Sequence, residues 1–306
     1  ESSVVLTAPL LELTPQDLAC ILDELTEFHA IFSPLFARQE QRAWSRQHLH
    51  GLLLELPRTS IEPMALALRG ADRNAVRGMQ HVLSEGAWDD HAILRRLWSG
   101  LANDIGDAED GVVILDGSDV PKQGAESVGV KRQYCGQPGK TANGQAGVFL
   151  ARPRPVATPC LTAAVAAREL FSEAYAARRL ACGVPADATF MTKPQLGLEM
   201  IQDVLAASSL PFQWVVGDEA FGDNPALLDA IADVGAWYFM EVAYDTRVWR
   251  ERPATAPWPW SGRGRQPSTL RLVDGAPAPL TVAALAADLP AAAWQRAAIQ
   301  EGGQGP

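Results

Sequence analysis

The hydrophobic pattern of this 306-residue chain changes abruptly at Asp110-Gly111. Before this point, apolar residues recur at the spacing of amphipathic helices. Directly after it, Val112-Val113-Ile114-Leu115 is a continuous apolar run that ends in Asp116. Such a run is typical of a strand that is buried on both faces of a sheet. The pattern therefore predicts an all-helical N-terminal domain followed by a domain built on a sheet.

The N-terminal domain is predicted to span residues 1–105 and to contain helices only. Thr14-Pro15-Gln16-Asp17 is typical of a helix start, with an N-cap, a proline at the first helical position and an acid in the first turn. The next helix is predicted over residues 34–56, and its apolar stripe is expected to be buried. That stripe consists of Trp44, Leu49, Leu52, Leu53 and Leu56. Shorter helices are predicted over residues 62–68, 73–84 and 89–101.

Strands and helices follow one another over residues 106–244. The predicted strands are 112–116, 146–151, 156–165, 212–216 and 237–242, and the predicted helices are 172–180, 193–207 and 225–234. This order predicts an α/β domain with a mixed sheet and helices packed on its faces. After Asp245 the chain becomes rich in Trp, Pro, Gly and Arg, which predicts an insertion or a β-rich subdomain over residues 245–306.

The overall charge is acidic, with 26 Lys and Arg against 36 Asp and Glu and a net charge of −10. This balance argues against a protein that binds nucleic acid with its whole surface, unless the basic residues are clustered. The four cysteines lack CxxC spacing, so we expect reduced core thiols rather than a zinc knuckle or a disulfide framework. No window approaches the ~20 apolar residues of a membrane span, and no basic segment opens the chain as in a signal peptide. We therefore expect a soluble cytoplasmic protein without a membrane partner.

Two aspartates stand out because each follows an apolar strand: Asp116 follows Val-Val-Ile-Leu, and Asp218 follows Trp-Val-Val-Gly. Strand ends are where an open α/β sheet presents its ligands. If the two strands are neighbours, the carboxylates converge at one sheet edge and repel each other unless a hard divalent cation neutralises them. A Mg²⁺ site is one interpretation, and turn formation or helix capping by each aspartate is the other. Asp119 and Glu219 lie nearby and can either assist or be ordinary turn, helix-start or solvated residues.

Positive charge is clustered in two segments. Residues 121–154 contain six basic residues against one acid and are rich in glycine, so their backbone can approach a phosphate chain. The candidate DNA contacts in this segment are Lys122, Lys131, Arg132 and Lys140. Residues 246–272 contain six basic residues against one acid, and Arg263 and Arg265 alternate there with glycine, which resembles an arginine hook for a DNA minor groove. The alternative is a solvated hairpin loop for the first segment and a mobile surface loop for the second.

The helical domain adds a third basic feature. Arg38, Arg42 and Arg46 are spaced four residues apart, which predicts one stripe that contacts DNA phosphates or, alternatively, a solvated face. Nucleophilic catalysis has little support, because all five histidines lie in the helical domain and neither a Gly-x-Ser-x-Gly elbow nor a P-loop is present.

Several ordered blocks of this sequence resemble DDE-superfamily insertion-sequence transposases. The first block opens with Leu115-Asp116-Gly117-Ser118-Asp119 and extends through residues 115–124, 127–136 and 139–148. The later blocks are Thr192-Lys193-Pro194-Gln195-Leu196 and residues 216–225. The resemblance extends from about residue 28 to the C-terminus.

This resemblance implies an RNase H-like fold whose first and second catalytic acids are Asp116 and Asp218. It implies cleavage of double-stranded DNA and strand transfer at the terminal inverted repeats of an insertion sequence, with Mg²⁺ or Mn²⁺ as the cofactor in a two-metal reaction. It also implies target DNA as a further substrate, a homodimer as the working complex and a place in the bacterial cytoplasm, on the nucleoid when bound to DNA.

The sequence departs from the family pattern at the third acid. The resemblance places a Glu on a helix after the insertion, whereas here Glu241 lies in a predicted strand, Glu251 lies in the insertion and Glu301 precedes Gly-Gly. Gly117 also stands where relatives often carry another acid. We therefore expect a truncated transposase whose core is incomplete at its C-terminus. The alternative function is that of a catalytically incomplete, transposase-derived DNA-binding or regulatory protein. A third function, a Mg²⁺-dependent phosphohydrolase that acts on small substrates, is disfavoured because the Gly-rich basic segment suits a polymer.

Overall fold

The computed structural model describes residues 14–124, 127–136, 139–153, 160–166 and 168–295. The chain divides into two compact units. One unit comprises Glu1–Asp107 and Asp203–Pro211, and the other comprises Ala108–Gln202 and Phe212–Pro306. Arg154, the first part of the strand predicted over residues 156–165, and Glu301 lie outside the described residues.

The first unit is built from helices, as the sequence predicts. Its helices are α1 (Pro15–Phe32), α2 (Gln39–Leu52), α3 (Ile61–Arg69), α4 (Arg73–Ser84) and α5 (Asp90–Ile105). The start of α1 is a capping box: the Thr14 side chain accepts from the Asp17 N–H, and the Asp17 carboxylate accepts from the Thr14 N–H at 2.8 Å. Aspartates likewise cap α4 and α5, because Asp72 and Asp89 accept backbone N–H groups of their first turns.

The core of this unit lies between α2, α3 and α4, where Met64 and Met79 are fully buried against Trp44. The predicted extent of α2 is wrong, since a 3₁₀ turn and an extended residue precede Gln39 and the helix ends at Leu52. The prediction that Leu52 and Leu53 are buried is also wrong, because they are 49% and 64% exposed. The reason is that α2 packs on α3 through the adjacent Gly51, where an added Cβ would lie 2.8 Å from Met64.

The second unit contains a six-stranded mixed sheet, which confirms the predicted α/β class with a helical N-terminus and is consistent with an RNase H-like fold. The strands are β1 (Val112–Pro121), β2 (Lys131–Cys135), β3 (Lys140–Ala151), β4 (Cys160–Ala166), β5 (Trp214–Gly217) and β6 (Trp237–Met240). Their order is β2-β3-β1-β5-β6, with β4 paired to β3. The strands β1, β5 and β6 are parallel, whereas β3 is antiparallel to each of its partners.

Helices and short strands complete this unit. They are α6 (Ala176–Ala181), α7 (Lys193–Ala206), α8 (Glu219–Gly222), α9 (Pro225–Asp233), β7 (Arg247–Val248), β8 (Thr255–Pro257), β9 (Leu270–Leu272), β10 (Leu280–Thr281) and α10 (Val282–Ala287). The residues of α7 from Asp203 onward belong to the first unit. Within the second unit, β7 pairs with β10 and β8 pairs with β9. Two 3₁₀ turns precede α6, which begins four residues later than predicted. Among the described residues, no helix is both long and apolar enough to cross a membrane.

The two faces of the sheet are buried to different extents. On one face, Val113, Leu115 and Val215 are fully buried, and Gly197 of α7 lies so close that an added Cβ would be 2.6 Å from a Leu115 methyl. On the other face, Ile114 is only half-buried and Phe239 is 70% exposed. The prediction that β1 is buried on both faces is therefore wrong, because α7 and α8 pack on the Leu115 side.

The four cysteines occupy different environments. Cys135 is buried and Cys182 is half-buried, whereas Cys20 and Cys160 are exposed, and none of the four forms a disulfide. The prediction of reduced thiols is consistent with this arrangement, but the prediction of core positions is wrong for Cys20 and Cys160. The helix α1 places Cys20 beside Glu24, whose negative charge raises the pKa of the Cys20 thiol.

We expect Gly222→Ala to destabilise the second unit. An added Cβ at Gly222 would lie 1.9 Å from the Glu241 carbonyl oxygen, so α8 and the chain after β6 must separate. The expected loss is about 2 kcal/mol or more in the free energy of unfolding, measured by urea denaturation. Gly136→Ala is the control in the same unit, because its Cβ meets no heavy atom within 4 Å. A Gly222→Ala protein as stable as the control would contradict the close approach.

We expect acid to weaken the helical unit. Burial lowers the pKa of His29, His48 and His50, and Arg46 contributes at His29 and His50. The unfolded chain, with histidine pKa values of about 6.5, therefore binds protons that the folded unit does not, and stability falls as pH decreases from 7.5 to 5.5. The helical circular dichroism signal measured during melts at both pH values tests this expectation. His29→Gln should make the pH dependence shallower, whereas substitution of the exposed His91 should leave it steep.

Candidate functional site

The register of the sheet places Asp116 beside Asp218. In the parallel pair β1 and β5, Leu115 lies opposite Gly217. Asp116 directly follows Leu115, and Asp218 directly follows Gly217. The backbone of Asp218 is still extended, with φ −81° and ψ −176°. Parallel neighbours lie about 4.8 Å apart, so the two carboxylates belong to adjacent strands at one level of the sheet. The condition stated in the sequence analysis, that the two strands are neighbours, is therefore met.

The expectation that Asp116 ends its strand is wrong. The strand β1 continues for five residues to Pro121, and Asp116 lies opposite Phe149 in the antiparallel ladder with β3. Only the parallel ladder with β5 stops here, because β5 ends at Gly217. The twelve-residue β3 supports the longer strand. Asp116 therefore lies where β1 loses one partner and keeps the other, which leaves its side chain exposed.

Both aspartates are oriented by backbone N–H groups. The Gly117 N–H donates to Asp116 Oδ1 at 2.6 Å, and the Ala220 N–H donates to Asp218 Oδ1 at 3.0 Å as the N-cap bond of α8. The alternative interpretation of Asp218 as a helix cap is thus correct. In the described part of the chain, these two hydrogen bonds use only Oδ1 of each aspartate. The second carboxylate oxygen of each residue therefore remains available for a ligand.

Glu241 follows β6 at the same level. Met240 lies opposite Gly217 in the β5–β6 pair, and the Glu241 N–H donates to the Gly217 carbonyl at 2.9 Å. Two strand spacings of about 4.8 Å separate β1 from β6, so Glu241 lies farther from Asp116 than Asp218 does. In the described ranges, no group of three His, Cys, Asp or Glu residues is arranged to hold a metal.

The two further acids considered from sequence do not join the pair. Side chains alternate along β1, so Asp119 lies on the face opposite Asp116. Glu219 is the first residue of α8 and is exposed. The pair itself consists of hard oxygen donors, which suit Mg²⁺ or Mn²⁺. Asp116 and Asp218 are therefore the residues that could hold a divalent ion.

The candidate DNA contacts of residues 121–154 lie on or beside the β2–β3 hairpin. Lys131 and Arg132 begin β2 and Lys140 begins β3, while Lys122 follows β1. Arg132 and Lys140 are exposed, whereas Lys131 donates to Glu169 at 2.8 Å and lowers the pKa of that carboxyl. The alternative of a solvated hairpin loop is therefore correct as to the hairpin and to the exposure of Arg132, but Lys131 and Arg132 lie in a strand and not in a loop.

Not every cation counted in this segment can face DNA. The side chain of Arg152 is only 8% exposed and donates to the Val112 carbonyl at 3.3 Å. Arg152 therefore contributes to the sheet rather than to the basic surface. Sequence counting could not distinguish it from the exposed Arg132 because both lie in the same Gly-rich segment.

The Gly-Arg-Gly-Arg segment lies in the connection between β8 and β9. Gly262 and Gly264 have φ values of 79° and 75°, a conformation that favours glycine. The intervening Arg263 and the following Arg265 are both exposed. This exposure is compatible with both interpretations, a minor-groove contact and a surface loop.

The basic stripe of the helical unit is shorter than predicted. Arg38 is the N-cap residue of α2, so only Arg42 and Arg46 lie within the helix. All three are exposed, but Arg42 Nε donates to the Phe36 carbonyl at 2.9 Å. The backbone contact of Arg42 reduces the part of the stripe that can reach a phosphate.

One lysine near the pair was not selected from sequence as a site residue. Lys193 is the first residue of α7, and its Nζ lies 3.1 Å from where a Cβ on Gly117 would be. Its ammonium group therefore rests against β1 one residue beyond Asp116. The available signal was the lysine in the Thr-Lys-Pro-Gln block, but its neighbour on β1 is more than 70 residues away in sequence.

Comparison with protein families identifies a match over most of the chain. A family model described as DDE superfamily endonuclease matches residues 31–306. The match includes both aspartates, all the sheet strands and the segment after Asp245. No curated protein matches the chain.

The capping role of Asp218 separates its structural contribution from its charge. We expect Asp218→Ala to lower the free energy of unfolding by about 1 kcal/mol, because the Ala220 N–H loses its acceptor. Asp218→Asn should change stability by only a few tenths of a kcal/mol, since asparagine caps about as well as aspartate. Urea denaturation of the two variants measures the difference. Equal losses in both would show that the cap bond contributes nothing.

Proposed function

This chain belongs to the DDE superfamily of endonucleases, and we propose that it cuts DNA strands at a divalent-metal site formed by Asp116 and Asp218. The observation that carries the proposal is the parallel register of Leu115 with Gly217, which brings the two aspartates to one level of the sheet. The family supports a nuclease-type enzyme with DNA as its substrate. The assignment of these two residues is our own.

In this proposal, the protein supplies the two carboxylates of Asp116 and Asp218 and holds them in place. Pairing of β1 with β5 holds the backbones of the aspartates, and the N–H groups of Gly117 and Ala220 orient their carboxylates. A bound Mg²⁺ or Mn²⁺ would activate a water or a 3′ hydroxyl and stabilise the leaving oxygen of the phosphodiester. A histidine base is unnecessary for this chemistry, and all five histidines belong to the helical unit.

We further propose that the cleavage serves transposition. The sequence blocks that resemble insertion-sequence transposases imply strand transfer at terminal inverted repeats by a homodimer. The basic groups that would contact DNA in the second unit are Lys122, Lys131, Arg132, Lys140, Arg263 and Arg265. Their clustering within a chain of net charge −10 supports a localised DNA surface rather than general binding.

A catalytically incomplete DNA-binding or regulatory protein is the second candidate function. Its support is the missing third ligand: within the described ranges, no third His, Cys, Asp or Glu completes a metal-holding group. Two carboxylates hold a divalent ion more weakly than three. The two candidates share DNA binding and differ only in strand cleavage.

The nuclease proposal predicts nicking of supercoiled plasmid that requires Mg²⁺ or Mn²⁺ and stops with EDTA. Asp116→Asn and Asp218→Asn should each reduce nicking by more than about 100-fold, because even outer-shell partners of a metal contribute about 10- to 100-fold. Glu219→Gln is the matched control, since it removes an exposed carboxylate directly beside Asp218.

Gel-shift measurements on the same proteins separate the two candidate functions. Salt-sensitive DNA binding without nicking in any divalent metal would favour the regulatory protein. Nicking that survives both aspartate substitutions would remove the proposed site.

A further inference from the structure

We propose that a basic pocket on the α7 side of the sheet binds a phosphate of the DNA backbone, an inference that rests on DNA being the substrate. The pocket has a volume of about 350 Å³ and lies within the second unit. We call it the α7 pocket. Its lining includes Asp119, Lys131, Gln133, Arg168, Phe190 and Lys193.

Three cations from different elements surround this space. Lys131 comes from β2, Lys193 from α7 and Arg168 from the 3₁₀ turn after β4. Arg168 lies over the Phe190 ring at 5.9 Å, and Lys131 is held by Glu169 at 2.8 Å. Asp119 supplies the one carboxylate of the lining. The cations therefore outnumber the acid, and an anion is the ligand that this lining favours.

Among the three cations of the α7 pocket, Lys193 is the one for which the described residues supply neither a carboxylate nor an aromatic partner. It is half-buried, and among the described residues no carboxylate lies within 4.0 Å of its ammonium. The start of α7 is fixed around it by Thr192 and Gln195: the Thr192 N–H donates to Gln195 Oε1 at 2.8 Å, and the Gln195 N–H donates to Thr192 Oγ1 at 3.4 Å. A positioned, partly desolvated ammonium without a counter-charge favours binding of an anion.

Glycine at position 117 keeps this ammonium available. The space that a side chain at 117 would enter is the space beside Lys193 Nζ, 3.1 Å from the added Cβ. An acid at 117 would pair with Lys193 and neutralise it. The Lys193 charge therefore lies beside β1, on the face opposite the Asp116 side chain. A DNA duplex carries phosphates along both of its backbones, and the α7 pocket offers a site for one that lies away from the candidate metal ligands.

The test measures binding of a fluorescein-labelled 30-base-pair duplex by anisotropy in EDTA, so that cleavage is excluded. Lys193→Met should lower the affinity about tenfold, as for loss of a hydrogen bond to a charged group, and reduce the salt dependence by about one phosphate contact. Lys193→Arg should restore most of the affinity. Asp119→Asn should raise the affinity by removing the opposing charge.

Gly117→Asp tests the same pocket without touching Lys193. We expect it to lower the affinity as Lys193→Met does, whereas the equally large but neutral Gly117→Asn should bind more tightly than Gly117→Asp. Circular dichroism melts confirm that each variant is folded. Arg69→Met is the control for bulk charge, because it removes an exposed cation that is neither in the pocket lining nor among the proposed DNA contacts. A loss in Lys193→Met no larger than in Arg69→Met, or equal binding by Gly117→Asp and Gly117→Asn, would overturn the proposal.

Inorganic phosphate distinguishes a DNA site from a site for a small anion. At matched ionic strength, phosphate that binds the wild type but not Lys193→Met, with DNA affinity unchanged by the substitution, would overturn the DNA assignment. Failure of the nuclease proposal looks different, since wild-type protein would then bind DNA in a Lys193-dependent manner without nicking it. Nicking by a wild-type protein whose DNA affinity is insensitive to Lys193 would remove the α7 pocket alone.

Discussion

The pairing of β1 with β5 is the interaction on which the candidate site depends. The two strands are parallel, so a long crossover separates them in sequence, and β2, β3, β4, α6 and α7 all lie within it. The register is determined by burial, because Val113 and Leu115 are fully buried beside Val215. A shift of the β1 register by one residue would expose these side chains and point the Asp116 side chain into the core. The hydrophobic core therefore determines where the carboxylates lie.

The strand β1 has two partners of different length, and this difference gives Asp116 its exposure. Towards β5 its ladder ends at Leu115, whereas towards β3 its ladder continues to Pro121. The continued pairing keeps Asp116 in a rigid strand instead of a flexible loop. The same continuation carries Gly117 and Asp119 past the lysine at the start of α7. One strand thus presents an acidic group on one face and borders a basic pocket on the other.

The sequence predicts the elements better than their environments. Helices α4, α7 and α9 follow the predicted ranges to within a residue, because caps such as Asp72 and Asn224 act locally. The Asp116–Asp218 pair was predicted from two matching contexts, and the adjacent strands support it. Burial of Arg152 and the contact of Lys193 with Gly117 could not be predicted, since both depend on residues far away in the chain. The strand β2 was missed because its glycine-rich surroundings are typical of a loop.

Asp218 combines two demands that a single side chain rarely has to meet. As an N-cap it must accept a backbone hydrogen bond, and as a proposed ligand it must be negatively charged. Asparagine, serine and threonine meet the first demand only. In a lineage that had lost catalysis, selection for folding alone would still disfavour most residues here while tolerating these three. Among relatives, any capping residue at this position would therefore indicate only that the fold is maintained. An aspartate at this position would indicate that catalysis is also under selection.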